Sequence, residues 1–378
     1  MEEIYLDNNA TTPVDPRIAE IVMHCLTEEY GNAGSRTHLW GANAGKIVEK
    51  ARDQVAAPIG VSPDDVVFTS GATESDNLAI LGLQTAAHKS NKLHLITTSV
   101  EHKAVLEPFA HLEKLGFSAT YLPVNERGFP DPEELVSSLK PETFLVSTMH
   151  ANNETGVKFP LDEYADVLEN HDAWWHVDAA QTFGKENEDL KNSRIDLISI
   201  SGHKMFAPKG IGALIIKRRG YERPPIEPLI LGGGQERGFR PGTLPVPLIA
   251  GLGLASELAE NEKLQRREAC IQFRQELFES LKPLNPEING DLEACMPHVV
   301  NLSFPGLDAE AVLVSLKGLI SISNGSACTS TSYEPSHVLS AMGLSESRIS
   351  SALRISWNHE TPTPDWLSVL DKLSTLSG

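Results

Sequence analysis

Between residues 65 and 216 the chain alternates short apolar runs with helical patterns, and no other feature constrains its fold as much. The apolar runs are Asp65 to Ser70, Leu93 to Thr98, Ser118 to Val124, Thr143 to Met149, Trp174 to Asp178 and Asp196 to Ser201, followed by Ala213 to Ile216. Helical patterns such as Val105 to Leu115 and Leu161 to Asn170 separate several of them. Strands alternating with helices imply βαβ units and a mostly parallel sheet. Open sheets of this kind bind ligands outside the carboxyl ends of their strands.

Those ends are where the polar residues gather. Glu101-His102 follows one run, His150-Ala151-Asn152-Asn153-Glu154 another, Asp178-Ala179-Ala180-Gln181 a third and Ser201-Gly202-His203-Lys204 a fourth. One polar tip means little, but four together describe a site. A lysine held at a strand tip among anion-binding groups suits Schiff-base chemistry. Its amine must lose a proton to attack a carbonyl, which needs partial desolvation or a nearby cation. The run ending at Ser70 leads into Gly71-Ala72-Thr73-Glu74-Ser75-Asp76-Asn77 and then an apolar helical pattern. Open N–H groups at the helix start, with the Thr73 hydroxyl, can hold a phosphate. No Gly-Lys-Ser/Thr follows, so this is not a Walker loop. The plainer reading is an ordinary helix capped by Thr73 or Ser75.

Around this centre, Glu2 to Pro16 reads as an extended arm, and Asp15-Pro16 as the cap and first residue of a helix. Gly232 to Thr243 is a glycine-rich loop with two arginines, and its plain reading is a flexible surface connection. It lacks the strand-then-helix context of a dinucleotide fingerprint. A long helix from Pro247 to about Leu281 follows and bridges to a second region of α+β texture. There the strand patterns are His298 to Phe304, Ile320 to Ser323 and Ala352 to Trp357, the last with Arg354 at its middle. A final helix is expected to open at Thr363-Pro364. Cys328 lies in a small, polar stretch, Asn324 to Ser332, which reads as a mobile loop. Cys25 suits a buried core position better.

The formal net charge of −19 over 378 residues argues against a broad electrostatic footprint for nucleic acid or anionic membrane. No secretory segment opens the sequence and no apolar run is long enough to span a bilayer. The four cysteines form no CxxC pair and are too scattered to suggest a metal site. Cytoplasmic residence is the expectation.

Taken in order, the segments Tyr5 to Thr12, Thr69 to Asn77, Glu101-His102-Lys103, Asn152 to Gly156, His176 to Gln181, Ser201 to Lys204, Gly232 to Thr243 and Gly325 to Ser330 resemble one family. It is that of the pyridoxal-phosphate-dependent cysteine desulfurases of the NifS/IscS type, within the class-V aminotransferases. The resemblance covers nearly the whole chain. It implies an α/β fold of the fold-type-I, aspartate-aminotransferase-like class, with a mostly parallel seven-stranded sheet in a large domain and a smaller α+β domain. The boundaries so implied are 15–258 for the large domain, and 1–14 with 259–378 for the small one.

The resemblance also implies roles. Lys204 carries pyridoxal 5'-phosphate and moves protons, Asp178 pairs with the ring nitrogen so that the ring works as an electron sink, and His102 stacks on the ring face and also serves catalysis by moving protons. Ala72, Thr73, Ser201 and His203 bind the phosphate, and Gln181 meets the ring oxygen. Asn153 lies by the cofactor and, with Arg354, holds the substrate carboxylate, to which a guanidinium fork is matched. Thr243 reaches the phosphate of the neighbouring subunit, which implies a homodimer. Cys328 takes sulfur from L-cysteine as a persulfide, leaving alanine, and hands it to an acceptor protein. Plainer readings stand beside these: Asp178 and His102 as helix caps, Arg354 as a partly exposed ion-paired residue.

The chain ends soon after the last helix, without the longer tail of IscS-type members, and looks more like the shorter NifS-like branch that includes DndA-type enzymes. An iron–sulfur scaffold, a tRNA-thiolation relay and a DNA-phosphorothioation complex are the candidate acceptors. The rivals are an aminotransferase or selenocysteine lyase of the same fold, and a catalytically silent sulfur-transfer scaffold.

Overall fold

The computed structural model describes residues 3–325 and 335–376. The seven apolar runs form one seven-stranded sheet. Its strands lie in the order Val66–Thr69, Gly212–Ile216, Leu197–Ser201, Trp174–Asp178, Thr143–Met149, His94–Thr98 and Ser118–Leu122. Gly212–Ile216 pairs antiparallel with both neighbours, and the other pairs are parallel. Successive residues point to opposite faces, and both faces are buried. Phe68, Val146, Trp175, Val177 and Ile200 pack into one core, and Val67, Leu95, Leu145, Trp174 and Leu214 into another. That double burial is why these strands read as continuous apolar runs rather than as alternation.

A further core lies around two small sheets. In one, Val299–Ser303 pairs antiparallel with both Glu287–Ile288 and Ala352–Ser356; in the other, Ile4–Tyr5 pairs with Ile320–Ser321. Leu6, Phe273, Leu277, Leu302, Trp357 and Trp366 fill it. The helix Val246–Leu281 serves both regions. Its Ile249, Leu252, Ala255 and Ala259 belong to the large core, its Cys270, Phe273, Leu277 and Leu281 to the small one. At 36 residues it is roughly 54 Å long. No helix among the described residues is long and apolar enough to cross a membrane.

Three expectations need correcting. The helix Leu39–Ala56, absent from the sequence reading, packs along the long helix. Its buried face is largely Gly41, Ala44, Val48, Ala51, Val55 and Ala56, while Leu39 and Trp40 are exposed, so its periodicity is faint. A Cβ on Gly253 would come within 2.6 Å of the Ala51 Cα, so this approach requires glycine. The last helix is Trp366–Leu376, starting after Thr363-Pro364. The glycine-rich loop is anchored rather than loose. Glu236, buried within it, takes both terminal nitrogens of Arg52 at 3.0 and 2.7 Å and the Phe68 N–H at 2.7 Å. Arg240 binds Glu74 at 2.8 Å.

Candidate functional site

The strand Leu197–Ser201 ends in a single turn, Gly202–Lys204, closed by the Met205 N–H on the Gly202 carbonyl. This turn aims Lys204 across the strand tips at the N-terminal arm, where its Nζ donates to the carbonyls of Asn9 at 2.5 Å and Ala10 at 2.9 Å. The arm is held from several sides. The Thr12 N–H binds the His203 carbonyl, the Asn9 N–H binds Ser356 Oγ, and Asn9 Nδ2 binds the Asn153 carbonyl. Gln181 Nε2 donates to the same Asn9 carbonyl that receives Lys204, at 3.1 Å, while Gln181 Oε1 is buried without a donor among the described residues.

On the adjoining strand Asp178 is buried at the tip. Its Oδ1 accepts the Ala180 N–H at 2.9 Å, so the capping reading is realised. Its other oxygen has no such bond to make within the turn. Burial, reinforced by Asp76, pushes the Asp178 carboxyl up to about 6. His102 also caps: its Nδ1 accepts the Ala104 N–H at 3.1 Å and opens the helix Lys103–Lys114. Accepting at Nδ1 places the ring proton of neutral His102 on Nε2. Burial pushes this histidine below its ordinary range, with Asp178 opposing.

Opposite them opens the helix Ala72–Leu81. Neither Thr73 nor Ser75 caps it. Gly71, at φ +153°, sits at the cap with no side-chain acceptor, and Ser75 Oγ is instead bonded to Thr69 Oγ1 at 2.8 Å. The first helical bond is from the Ser75 N–H to the Gly71 carbonyl. The N–H groups of Ala72, Thr73 and Glu74 therefore have no helical acceptor, and these residues line the cleft together with Ser201. A Cβ on Gly212 would stand 2.7 Å from the Gly71 Cα, so the two glycines let the strand and the turn meet. His203 binds Thr11 Oγ1 at 3.1 Å, and burial among Lys204, Lys209 and Lys185 pushes it down to about 4.

Arg354 reaches the cleft from the small sheet. It is buried, with Nη2 on Asp7 Oδ1 at 2.7 Å and Nη1 on the Asn153 carbonyl at 3.1 Å, and its Nε has no acceptor among the described residues. The ion pair was anticipated, but not its burial.

These groups enclose one cleft of about 400 Å³, within the range of small-molecule sites. Ala72, Thr73, His102, Asn153, Asp178 and Gln181 line it, as do Ser201, His203, Lys204 and Arg354. Asn9, Ala10, Asp76 and Lys209 line it too, and sequence reasoning had given none of them a role. Asn9 and Ala10 belong to a recognised segment, but the contact with Lys204 forms only on folding. Thr243 is exposed and outside the cleft. Cys328 lies outside the described residues.

The cleft has unlike ends. One offers open N–H groups, Thr73, Ser201, His203 and Lys209 to an anion; the other offers the carboxyls of Asp178 and Asp76 to a cation. Buried Gln181 Oε1 and Asn9 Oδ1 have no hydrogen-bond partner among the described residues. A pyridine ring bearing a phosphate, with a protonated ring nitrogen, fits such a donor set. Among the described residues no group of three or more His, Cys, Asp or Glu is placed to hold a metal ion.

The profile of the aminotransferase class-V family matches residues 4–364. A cysteine desulfurase of Pongo abelii is 45% identical over 356 residues, which is 94% of this chain and 77% of the relative. A solved NifS-like protein superposes with a TM-score of 0.89 at 38% identity, covering 100% of this chain and 98% of that one. The crystal structure of DndA from Streptomyces lividans gives a TM-score of 0.82 at 47% identity, over 92% of this chain and 98% of DndA.

Proposed function

The chain belongs to the aminotransferase class-V family and is a cysteine desulfurase, and we propose on that premise that it works with pyridoxal 5'-phosphate in the cleft and relays sulfur through Cys328. The observation that carries this reading is the meeting of Lys204, Asp178, His102 and the open helix start of Ala72–Leu81 around one cavity.

Pyridoxal phosphate, when bound, supplies an electron sink beside the α-carbon of an amino acid. The protein does the rest. Lys204 would hold the cofactor at Nζ, and the same atom would move the α-proton of the substrate. Asp178 keeps the ring nitrogen protonated, and His102 covers the ring face. The N–H groups of Ala72 and Thr73, the Thr73 hydroxyl, Ser201 and His203 bind the phosphate. Gln181 would meet the ring oxygen. Arg354 and Asn153 hold the carboxylate of L-cysteine, with Asp7 keeping the guanidinium in position. The Cys328 thiolate attacks the substrate sulfur: the sulfur–sulfur bond forms, the carbon–sulfur bond breaks, and the carbon takes up a proton and leaves as L-alanine. The Cys328 persulfide then passes its outer sulfur to an acceptor protein, in iron–sulfur assembly, tRNA thiolation or DNA phosphorothioation.

The reading extends to a homodimer in which Thr243 of each protomer reaches the other's phosphate site. It also extends to domains of 15–258 and of 1–14 with 259–378, supported by the two cores that share the long helix, and to a cytoplasmic enzyme. The net charge of −19 favours an acceptor that is a protein over direct contact with nucleic acid.

The test is the purified protein with L-cysteine and no keto acid. Alanine and sulfane sulfur should appear one for one. Cys328→Ser should keep its visible cofactor absorption and lose at least about a hundredfold in turnover. Undiminished sulfide release by that variant removes Cys328 from the pathway, and absence of a borohydride-sensitive absorption in the wild type removes the cofactor.

A further inference from the structure

Asp76 lies in the second turn of the helix Ala72–Leu81, is wholly buried, and reaches the floor of the cleft. A helix packed on a sheet normally presents an apolar side chain at such a position. Here neither carboxyl oxygen has a hydrogen bond of good geometry among the described residues, and only the Ser199 hydroxyl works to lower its titration against burial.

The sheet beneath is prepared for it. His176 and Asp178 are two residues apart on one strand and so share a face. In register Ser147 lies opposite His176, and Ser199 opposite Asp178. His176 Nδ1 meets Ser147 Oγ at 2.8 Å and Nε2 meets Ser199 Oγ at 2.9 Å, with Asp76 Oδ1 3.5 Å from the same Nε2. His176 is no counter-ion, because burial pushes it down to about 4. Asp178 adds negative charge. A lone ionised carboxylate in such a place is very costly, so Asp76 is either protonated or facing a cation.

Burial pushes the Asp76 carboxyl up to about 7, so both states are within reach near neutrality. The other groups facing the pair are His102, Glu101 and Lys204. Burial pushes Glu101 well above its ordinary range, against the bonds its carboxyl accepts from Thr98 and the Met149 N–H.

We propose that Asp76 and Asp178 form a carboxyl pair that shares one proton in the cofactor-free protein, and that Asp76 gives this proton to solvent when a protonated ring nitrogen settles on Asp178. Asp76 is then a positioning residue. Its charge acts through Asp178 and ties the helix that cradles the phosphate to the strand that holds the ring. The inference rests on the proposal that the cleft takes pyridoxal phosphate.

Proton loss on binding means that affinity gains from rising pH. The probe is 4'-deoxypyridoxine 5'-phosphate, which has the ring nitrogen and the phosphate but no aldehyde for Lys204. Its Kd is measured on cofactor-free wild type and Asp76→Asn at pH 6 and pH 8. The probe's own titration cancels in the ratio of the two proteins. Asp76→Asn should match the wild type within about twofold at pH 6 and bind about tenfold more weakly at pH 8, the effect of a one-unit linkage. An equal loss at both pH values shows a merely structural role and overturns the inference, as does no loss at pH 8. If Asp76→Asn does not fold, Asp76→Ser carries the same expectation, with melting at pH 6 as the check on folding. Failure of the wild type to bind the probe at either pH overturns the functional reading itself, an outcome distinct from the others.

Discussion

Glu236 and Asp76 are both buried carboxylates beside the strand Val66–Thr69 and its following helix, and the fold treats them oppositely. Glu236 receives the whole fork of Arg52 and the Phe68 N–H, and Arg52 also lies 4.8 Å from the centre of the Phe68 ring. Asp76 receives nothing of comparable quality. Glu236 and Arg237 adopt left-handed backbone angles, φ +49° and +56°. For residues other than glycine these cost on the order of 1–3 kcal/mol each, and the pair with Arg52 helps hold them. A satisfied buried charge fixes a loop. An unsatisfied one, in a cavity, is a place kept for something that is not protein.

The contrast can be broken most forcefully at Arg52. Arg52→Ala strands Glu236 in the interior and should destabilise the cofactor-free protein by about 3–5 kcal/mol in chemical unfolding. A loss under about 1 kcal/mol means Glu236 is no more a structural anchor than a surface ion pair.

The opposite sign is expected in the cleft. A carboxyl whose folded pKa stands above its unfolded one binds its proton more tightly when folded, so its contribution to stability falls as pH rises through both values. Asp178, up from 3.8 to about 6, follows this rule. Cofactor-free Asp178→Asn should therefore exceed the wild type at pH 8 by up to about 3 kcal/mol, with the gap closing as pH falls from 8 to 4. A variant less stable than the wild type at pH 8 makes Asp178 another Glu236.

The mildest effect belongs to Glu74, which joins the two regions. It binds Arg240 at 2.8 Å and the Ser70 N–H at 2.7 Å, and these pull its carboxyl below the ordinary range against the effect of burial. Glu74→Gln should cost under about 1 kcal/mol, and less in high salt. A larger, salt-independent loss would show that the loop and the cleft form one unit.

What the sequence made legible follows from these cases. The seven strands were readable because burial on both faces writes an uninterrupted apolar run. Most site residues were readable because they sit at the ends of those runs, as Asp178 and Lys204 do. The helix Leu39–Ala56 was hidden by a buried face rich in alanine and glycine, whose periodicity is weak. Arg52 and Glu236 were hidden by a sequence separation of 184. Asp76 stood inside a recognised segment, but its burial beside His176 and Asp178 is a fact of packing. So is the seat of Lys204 on the Asn9 and Ala10 carbonyls.

That seat has a consequence for how the protein is made. Residues 6 to 9 are fixed by Ser356, through the Ser356 N–H on the Leu6 carbonyl and the Asn9 N–H on Ser356 Oγ, and Asp7 by Arg354. Lys204 and its strand leave the ribosome some 150 residues before those partners, so a nascent chain has its lysine long before it has the arm that receives it. Because a cleft closed by contacts this distant in sequence forms late, it is completed only on a chain that has been translated through Ser356.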